Sequence, residues 1–386
     1  MNFNKMMKPK KKLKIFIFSI LSLACFLFYF GENIKDSIKL SLNDNNVIKY
    51  KFFKDLIKVF GDPRYIMNDY NVNFLPKTQF INFKSFKFKI NQDAQDSHFI
   101  EIIDKNLIVI SSNLKTYIKE IKNINLEKKE IQFKKIDNNL ENLSFIDILD
   151  SKFYKGKLYI SFKKNIGSDC KTVGIASARF DLNFLEFEEL FSIDECAKGS
   201  IWGGAIDIYK TDSSFGILLS TSDVVRSNDE DISIEKDNRA QEDDSQYHKI
   251  LYFDFKSREL EIFSKGHRNP GSIFVDNDII ISTEHGPRGG DEINLIEKNG
   301  NYGWPISSYG DLYFSKPKKP YYKKSHKDQG FIEPIYSYVP SIGISAIIKV
   351  PKNFNEYWDN NYLIASLYGN SLFRIKFDEK FTKILF

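Results

Sequence analysis

The chain has 386 residues, of which 42% are apolar and 15% aromatic, enough to bury one large core or two ordinary ones. This composition argues against disorder over most of the chain. The formal net charge is +5, but six lysines fall in the first fourteen residues, before any acidic residue, so the rest of the chain is close to neutral. Phosphate binding needs a basic face on the folded domain, so a nucleic-acid partner is not expected.

The N-terminal lysines precede sixteen uncharged residues, IFIFSILSLACFLFYF, at positions 15–30. A basic stretch followed by an apolar run is typical of an export signal. The run is slightly short for the roughly 20 residues that span a bilayer, and no Ala-x-Ala-like cleavage site follows it. We therefore expect residues 1–31 to be an uncleaved signal anchor that leaves the body on the periplasmic side of the inner membrane, with a cleaved signal peptide as the alternative. Residues 32–96 are predicted to be a linker with N-terminal strands.

The three cysteines are compatible with export. Cys25 lies in the apolar run, which leaves Cys170 and Cys196 in polar, turn-like surroundings. In an oxidising compartment, a disulfide between them would close a loop of about 27 residues and stabilise the fold by roughly 3 kcal/mol. Two unpaired thiols remain the alternative.

Short apolar strands bounded by turn residues recur along the body, and no long helical period is present, which predicts an all-β fold. Five strands contain a serine after three or four apolar residues, and they begin 51, 59, 62 and 84 residues apart: LIVISS, LYISF, ILLSTS, IIISTE and LIASLY, from Leu107, Leu158, Ile217, Ile279 and Leu363. This spacing is that of propeller blades with insertions. We predict a β-propeller over residues 97–386, with strands in residues 47–89 beginning or closing the ring.

Three motifs lie close together in the fourth repeat: GHRNP (266–270), EHGPRGGDEINLI (284–296) and NYGWP (301–305). In this order and spacing they resemble the glucose/sorbosone dehydrogenase family. AQEDDSQYHKIL around Gln241 and PSIGIS from Pro340 extend the similarity more loosely over positions 97–377. The resemblance implies an exported six-bladed propeller, with a complete or an incomplete last blade, that oxidises sugars with pyrroloquinoline quinone (PQQ) and calcium.

The resemblance also implies a set of site residues. The carbonyl oxygens of Gly286 and Pro287 match those that hold the calcium beside the quinone, and carbonyl oxygens suit a hard cation. Glu292 and the carbonyl oxygen of Tyr302 match the ligands of a second, structural calcium. Arg268 and Asn269 match quinone-contacting positions, where an arginine fork suits carboxylates.

Three features depart from the family pattern. Ile201 and Ala205, in SIWGGAID, stand where many members have the general-base histidine and an arginine, so Asp207 and Asp223 are the remaining, weak candidates for a base. The final-blade arginines that contact the quinone in the family have no counterpart up to Phe386. Gly271 replaces a usual glutamine.

The favoured hypothesis is therefore a PQQ- and calcium-dependent sugar dehydrogenase that passes electrons to a respiratory acceptor. The alternative is a catalytically inactive, calcium-stabilised propeller that binds a glycan or a protein in the cell envelope, and a calcium-dependent lactonase is a third possibility. The isolated histidines at 98, 248 and 326 do not indicate a zinc site. No Gly-rich strand-to-helix loop or Gly-x-Ser-x-Gly elbow is present.

Overall fold

The computed structural model describes residues 97–124, 131–168, 170–197, 200–224, 239–311, 322–352, 354–368 and 371–386, all within the unit Phe88–Phe386. The predicted anchor (1–31) and the predicted strands of residues 47–89 lie outside the described residues. Within these ranges the helices are short 3₁₀ turns. None of them has the length and apolarity needed to cross a membrane.

The described strands form five sheets that follow one another along the chain, and we call them blades I to V. Blade I contains β1 His98–Ile103, β2 Asn106–Ser111, β3 Thr116–Glu120, β4 Lys134–Asn138 and β8 Phe184–Leu185. Blade II contains β5 Phe145–Tyr154, β6 Lys157–Gly167, β7 Cys170–Arg179 and β9 Phe187–Ser192. Blade III contains β10 Ser200–Lys210, β11 Phe215–Val224, β12 Lys249–Asp254, β13 Leu260–Lys265 and β17 Gly300–Asn301.

Blade IV contains β14 Pro270–Asp276, β15 Ile279–Glu284, β16 Asp291–Leu295 and β18 Tyr336–Tyr338. Blade V contains β19 Ile344–Lys349, β20 Tyr362–Ser366 and β21 Ser371–Ile375. Neighbouring strands pair in antiparallel register, except for β8 and β17, which pair in parallel with β4 and β13. The first strands of successive blades contact one another, from β1 to β5, β10, β14 and β19.

The all-β propeller is confirmed, whereas the predicted number of six blades is corrected to five for the described residues. In the described part of the long spacing between the fourth and fifth repeats, no further sheet is present. Part of it forms the outer strand β18, which pairs with β16 of blade IV, and the turns between residues 322 and 335, which hydrogen-bond to β17 and β16.

The serine repeat has a structural reason. All five predicted strands are the second strand of their blade, β2, β6, β11, β15 and β20, and each of the five serines is buried. In two blades the serine hydroxyl donates to a carbonyl at the start of the next blade: Ser161 to Gly204, and Ser220 to Pro270 at 2.9 Å. In blade IV, Thr283, next to Ser282, does so instead and donates to Ser345 at 3.1 Å. In blades II and III the repeat serine therefore forms a bond between blades.

The apolar core is divided among the interfaces between successive blades. One cluster joins blades I and II, and further clusters join II to III, III to IV and IV to V. This is the packing that a propeller predicts, because each sheet buries its faces against its neighbours. Cys170 and Cys196 are joined by a disulfide, with Cα atoms 5.4 Å apart, which ties the start of β7 to the segment after β9.

Candidate functional site

The three motifs of the fourth repeat meet where blades III and IV adjoin, and the Glu284 carboxylate connects two of them. Glu284 ends β15 and is buried. Its Oε1 accepts hydrogen bonds from the backbone N–H groups of Arg268 and Asn269, the latter at 3.2 Å. Its Oε2 lies 3.2 Å from His267 Nδ1. The GHRNP turn is therefore held against the end of β15 by one carboxylate.

Glu284 is suited to remain ionised in this position. Burial raises its pKa, but the bonds from His267 and from the two backbone N–H groups outweigh burial and hold the pKa below its usual value. His267 is itself buried, with Nε2 2.8 Å from Ser264 Oγ and its ring stacked on Tyr302. The His267–Glu284 pair therefore fixes the start of the GHRNP motif.

The HGPRGG loop is anchored by Asp291, which is buried at the start of β16. Asp291 Oδ1 accepts from the backbone N–H of Gly286 at 3.1 Å and from the Ser341 hydroxyl at 2.8 Å. Its Oδ2 accepts from the backbone N–H groups of Ile342 and Ile344 at 3.0 and 2.9 Å. One carboxylate thereby joins the loop to the PSIGIS segment that enters blade V.

The loop itself presents buried carbonyl oxygens. A Cβ atom at Gly286 would lie 2.2 Å from the carbonyl oxygen of Gly290, so only glycine allows the loop to fold this tightly. Gly286 and Pro287 are buried, yet no hydrogen bond to either carbonyl oxygen is found among the described residues. Buried carbonyls are rarely left without a partner. Their oxygens fit the cation that the resemblance predicts here.

Arg268 and Asn269 lie beside this loop. The partly exposed Arg268 donates from Nη1 to the carbonyl of His285 at 2.8 Å, and its guanidinium lies 5.4 Å from the centroid of the Trp304 ring. The Asn269 side-chain amide has no hydrogen bond to a residue that the structure describes, although Asn269 is 6% exposed. Both side chains therefore keep donors for a ligand, and their contact with a quinone stays a prediction.

A small polar cavity of about 10 Å³ lies among these residues, with room for a single water molecule or ion. Three buried polar atoms of its lining have no hydrogen-bond partner within the described ranges: Trp304 Nε1, Ser307 Oγ and His326 Nε2. Over the same ranges, no group of three or more His, Cys, Asp or Glu side chains is arranged to hold a metal. Backbone oxygens would therefore be the main cation ligands here.

The predicted ligands of the second calcium are both in contact with His326. Its Nδ1 lies 2.9 Å from the carbonyl oxygen of Tyr302, and its Nε2 lies 3.4 Å from Glu292 Oε1. Burial raises the pKa of Glu292. Burial lowers that of His326, but the carboxylate of Glu292 and the carbonyl of Tyr302 outweigh this effect and leave the pKa of His326 raised.

The two positions that depart from the family pattern belong to the core. Ile201 is 5% exposed and packs in the cluster between blades II and III. Ala205 is 2% exposed in the cluster between blades III and IV. Ala205 lies in a β-bulge of β10, beside Gly204, which has φ +89° and where a Cβ atom would lie 2.4 Å from Leu149; Ile201 precedes this bulge. Neither side chain can accept a proton.

The weak candidates for a base differ in their surroundings. The buried Asp207 carboxylate is 2.6 Å from Lys152 Nζ and accepts from the backbone N–H groups of Ile208 and Val275 at 2.7 and 2.9 Å. It is thus used in joining β10 to β14. Asp223 is the cross-strand backbone partner of Ile201.

Sequence reasoning missed Glu284, Asp291 and His326 as organisers of the site. Glu284 and Asp291 lie within the motif that carries the resemblance, and two acids beside a Gly-rich turn could have suggested loop anchors. His326 carries no such signal, because it follows NYGWP by more than twenty residues in an insertion that looks like a solvated loop.

Fold and site together define a β-propeller whose loop carbonyls and basic side chains converge on one blade interface. The glucose/sorbosone dehydrogenase family model matches residues 145–384, so the chain belongs to that family. The match includes blades II to V.

Similar curated proteins include aldose sugar dehydrogenase YliI of Escherichia coli, 32% identical over 28% of this chain and 29% of that protein. Quinoprotein glucose dehydrogenase B of Acinetobacter calcoaceticus is 52% identical over 13% of this chain and 11% of that protein. The matched segments thus cover less than a third of these relatives.

Among solved structures, a glucose dehydrogenase has a TM-score of 0.57 at 18% identity and covers 76% of this chain and 88% of its own. A PQQ-bound aldose sugar dehydrogenase from Streptomyces coelicolor has a TM-score of 0.52 at 17% identity, over 76% of this chain and 80% of its own. At these identities the likeness supports the fold alone.

Proposed function

We propose that this protein is a sugar dehydrogenase that uses PQQ and Ca²⁺ to oxidise an aldose or a related sugar. The observation that carries the proposal is the pair of buried carbonyl oxygens at Gly286 and Pro287, without hydrogen bonds from the described residues, beside the unbonded amide of Asn269. Family membership supplies the reaction class. A relative named as a quinoprotein glucose dehydrogenase supports the cofactor.

Four residues of the site would bind the metal ion and the cofactor. The carbonyl oxygens of Gly286 and Pro287 would hold Ca²⁺, and Arg268 and Asn269 would bind the polar edge of PQQ. Bound PQQ would supply the two-electron acceptor for a hydride from the sugar. The guanidinium of Arg268 is already oriented by the His285 carbonyl and by Trp304, so little conformational freedom would be lost on binding.

The sugar hydroxyl needs a proton acceptor, and this chain differs from the family pattern at that step. Ile201 cannot accept a proton, and the Asp207 carboxylate is used between blades. Asp223, the cross-strand partner of Ile201, remains the candidate base. A missing base typically lowers the rate by about 10² to 10⁴-fold. If no other group replaces it, the chain would be the inactive, calcium-stabilised propeller, which is the second candidate function.

The test is calorimetric titration of the calcium-loaded protein with PQQ, followed by turnover with a panel of aldoses and a dye as electron acceptor. We expect one-to-one binding that Arg268→Ala weakens at least about 100-fold, as for a charge-assisted pair. Arg258→Ala is the matched control, because Arg258 is exposed in blade III. Absence of PQQ binding by the folded protein would contradict the proposal. Binding without turnover of any sugar would favour the inactive propeller.

We also propose that the protein works outside the cytoplasm, held by residues 1–31, with a respiratory chain component as electron acceptor. The Cys170–Cys196 disulfide supports this location, because structural disulfides are rare in reducing compartments. Cell fractionation should find the chain in the membrane fraction, accessible to protease added to spheroplasts. Recovery in the cytosolic fraction with both thiols reduced would contradict this part of the proposal.

A further inference from the structure

The imidazole of His326 lies between the Glu292 carboxylate and the Tyr302 carbonyl, the two groups that the resemblance assigns to the second calcium. A carbonyl oxygen only accepts hydrogen bonds, so Nδ1 of His326 carries the hydrogen that faces the Tyr302 carbonyl at 2.9 Å. The opposite ring nitrogen faces Glu292 Oε1 at 3.4 Å, which is an ion-pair distance and longer than a usual hydrogen bond. The ring therefore spans the gap between the two predicted ligands.

The position of the ring is fixed from its other side. His326 is 2% exposed and stacks on Tyr309, with ring centroids 5.4 Å apart and planes 15° from parallel. The Tyr309 hydroxyl donates to Glu333 Oε2 at 2.8 Å, and Glu333 Oε1 accepts from the backbone N–H of Lys327 at 2.9 Å. Glu333 thus fixes both the stacking partner of His326 and the backbone that follows it.

The donors around Glu292 do not fit a calcium ion. Calcium takes about 6–8 oxygen ligands at roughly 2.3–2.6 Å, and nitrogen is a poor substitute. The second carboxylate oxygen of Glu292 lies 3.4 Å from Asn294 Nδ2, so nitrogen atoms stand near both of its oxygens. A cation that bridged the Glu292 carboxylate and the Tyr302 carbonyl would meet the imidazole, which contacts both groups. The cavity of about 10 Å³ that these three residues also line has room for no more than a single water molecule or ion.

We propose that the side chain of His326 takes the position of the second calcium and closes the Glu292–Tyr302 contact without a metal. The segment after NYGWP, which contains His326, is then a built-in replacement for the ion. Calcium would be needed only at the Gly286–Pro287 loop. This inference does not depend on quinone binding, and both experiments below are done without PQQ.

The first experiment asks whether Glu292 binds calcium in the natural chain. The metal-free protein is titrated with Ca²⁺ by calorimetry, and Tm is measured with and without saturating Ca²⁺. Glu292→Gln keeps the size of the side chain and should leave the stoichiometry, the affinity and the calcium-dependent change in Tm as in the natural protein. Glu261→Gln, at an exposed salt bridge, is the matched control.

The second experiment removes the proposed replacement. His326→Ala opens the space between Glu292 and the Tyr302 carbonyl, so this variant should bind one additional Ca²⁺, and saturating Ca²⁺ should raise its Tm by at least about 3 °C more than in the natural protein. The additional site should disappear in the double variant His326→Ala/Glu292→Gln.

Two outcomes would overturn the proposal. One is that Glu292→Gln in the natural background removes an equivalent of Ca²⁺, which would place a metal at Glu292 despite His326. The other is that folded His326→Ala binds no additional Ca²⁺. If His326→Ala does not fold, the Glu292→Gln comparison still decides the question, because that variant creates no cavity.

Discussion

Blades III and IV begin with strands that contact each other, β10 and β14, but the polar groups around them are used differently. In β10 the carboxylate of Asp207 is taken up by Lys152 and by backbone N–H groups, and Ile201 and Ala205 are core residues. Around the start of β14, the Asn269 amide and the Gly286 and Pro287 carbonyls lack partners among the described residues. Blade III uses its polar groups for packing, whereas blade IV leaves some unused.

This difference separates residues that hold the propeller together from residues that can bind a ligand. Buried polar groups are normally paired within the protein, so the unpaired ones mark where an external partner is expected. Substituting polar side chains in the two regions should therefore affect different measurements. In β10 such a change should mainly alter stability, and next to the start of β14 it should mainly alter ligand affinity.

The largest effect is expected for Gly286→Ala. The new methyl group would lie 2.2 Å from the Gly290 carbonyl oxygen, so the HGPRGG loop cannot keep its fold. We expect loss of Ca²⁺ binding by calorimetry and a fall in the free energy of unfolding of about 3 kcal/mol or more. Gly271→Ala, where the nearest atom is 3.3 Å away, should change it by less than about 1 kcal/mol. Equal effects would show that the loop is not sterically restricted.

Asp207→Ala should lower the free energy of unfolding by about 2–4 kcal/mol, because it leaves Lys152 and two buried backbone N–H groups without a partner. PQQ affinity should stay within about twofold of the natural value. Denaturant unfolding and PQQ titration measure the two quantities. A selective loss of turnover at unchanged stability would instead make Asp207 the base.

Asn269→Ala should lower the affinity for PQQ and leave stability almost unchanged, the opposite of Asp207→Ala. Its amide bonds no described residue, so the free energy of unfolding should change by no more than about 0.5 kcal/mol. The affinity for PQQ should fall about tenfold, the value of one hydrogen bond of about 1.4 kcal/mol. A large loss of stability with unchanged affinity would remove the distinction between the two strands.

The smallest effect concerns pH and Asp150, on β5, whose Oδ2 accepts from the backbone N–H of Ile206 in β10. Burial raises the pKa of Asp150 to about 7. The folded state therefore favours the protonated carboxyl of Asp150. The stability that this proton contributes is complete below the ordinary pKa of aspartate and is lost as pH rises through about 7. Between pH 4 and 8, Tm of the natural protein should therefore fall by a few degrees relative to Asp150→Asn. Parallel curves for the two proteins would contradict this.

The propeller could be predicted from the sequence because each blade contains the same short strand pattern, an apolar run that ends at a serine. The serines of β6 and β11 lie in short strands of regular spacing, and their bonds to the next blade preserve that pattern. The tight fold of the HGPRGG loop was also predictable, since glycine and proline constrain its backbone directly. The quinone-contacting roles of Arg268 and Asn269 stay predictions. The five repeats of the sequence correspond to the five blades of the described residues, whereas the sixth blade rested on the resemblance alone. Outer strands such as β18 use chain length without adding a repeat.

His326 shows why part of the site could not be predicted from the sequence. Its role depends on the fold of an insertion that returns to the Tyr302 carbonyl, and no local period or motif encodes that return. The same applies to Lys249, whose ammonium group is buried against the carbonyls of Arg239, Ala240 and Tyr247. Such contacts are decided by tertiary packing, so residue type alone does not reveal them.

Because the core is divided among blade interfaces, a single blade is not expected to fold when it is expressed alone. No single sheet buries both of its faces alone, so an excised blade would expose the apolar side chains that its neighbours now cover. Stability in such arrays comes largely from nearest-neighbour interfaces. The GHRNP turn, which follows blade III, would then meet Glu284 at the end of β15 only after blades III and IV have docked, so recovery of ligand binding during refolding would require the docking of these two blades.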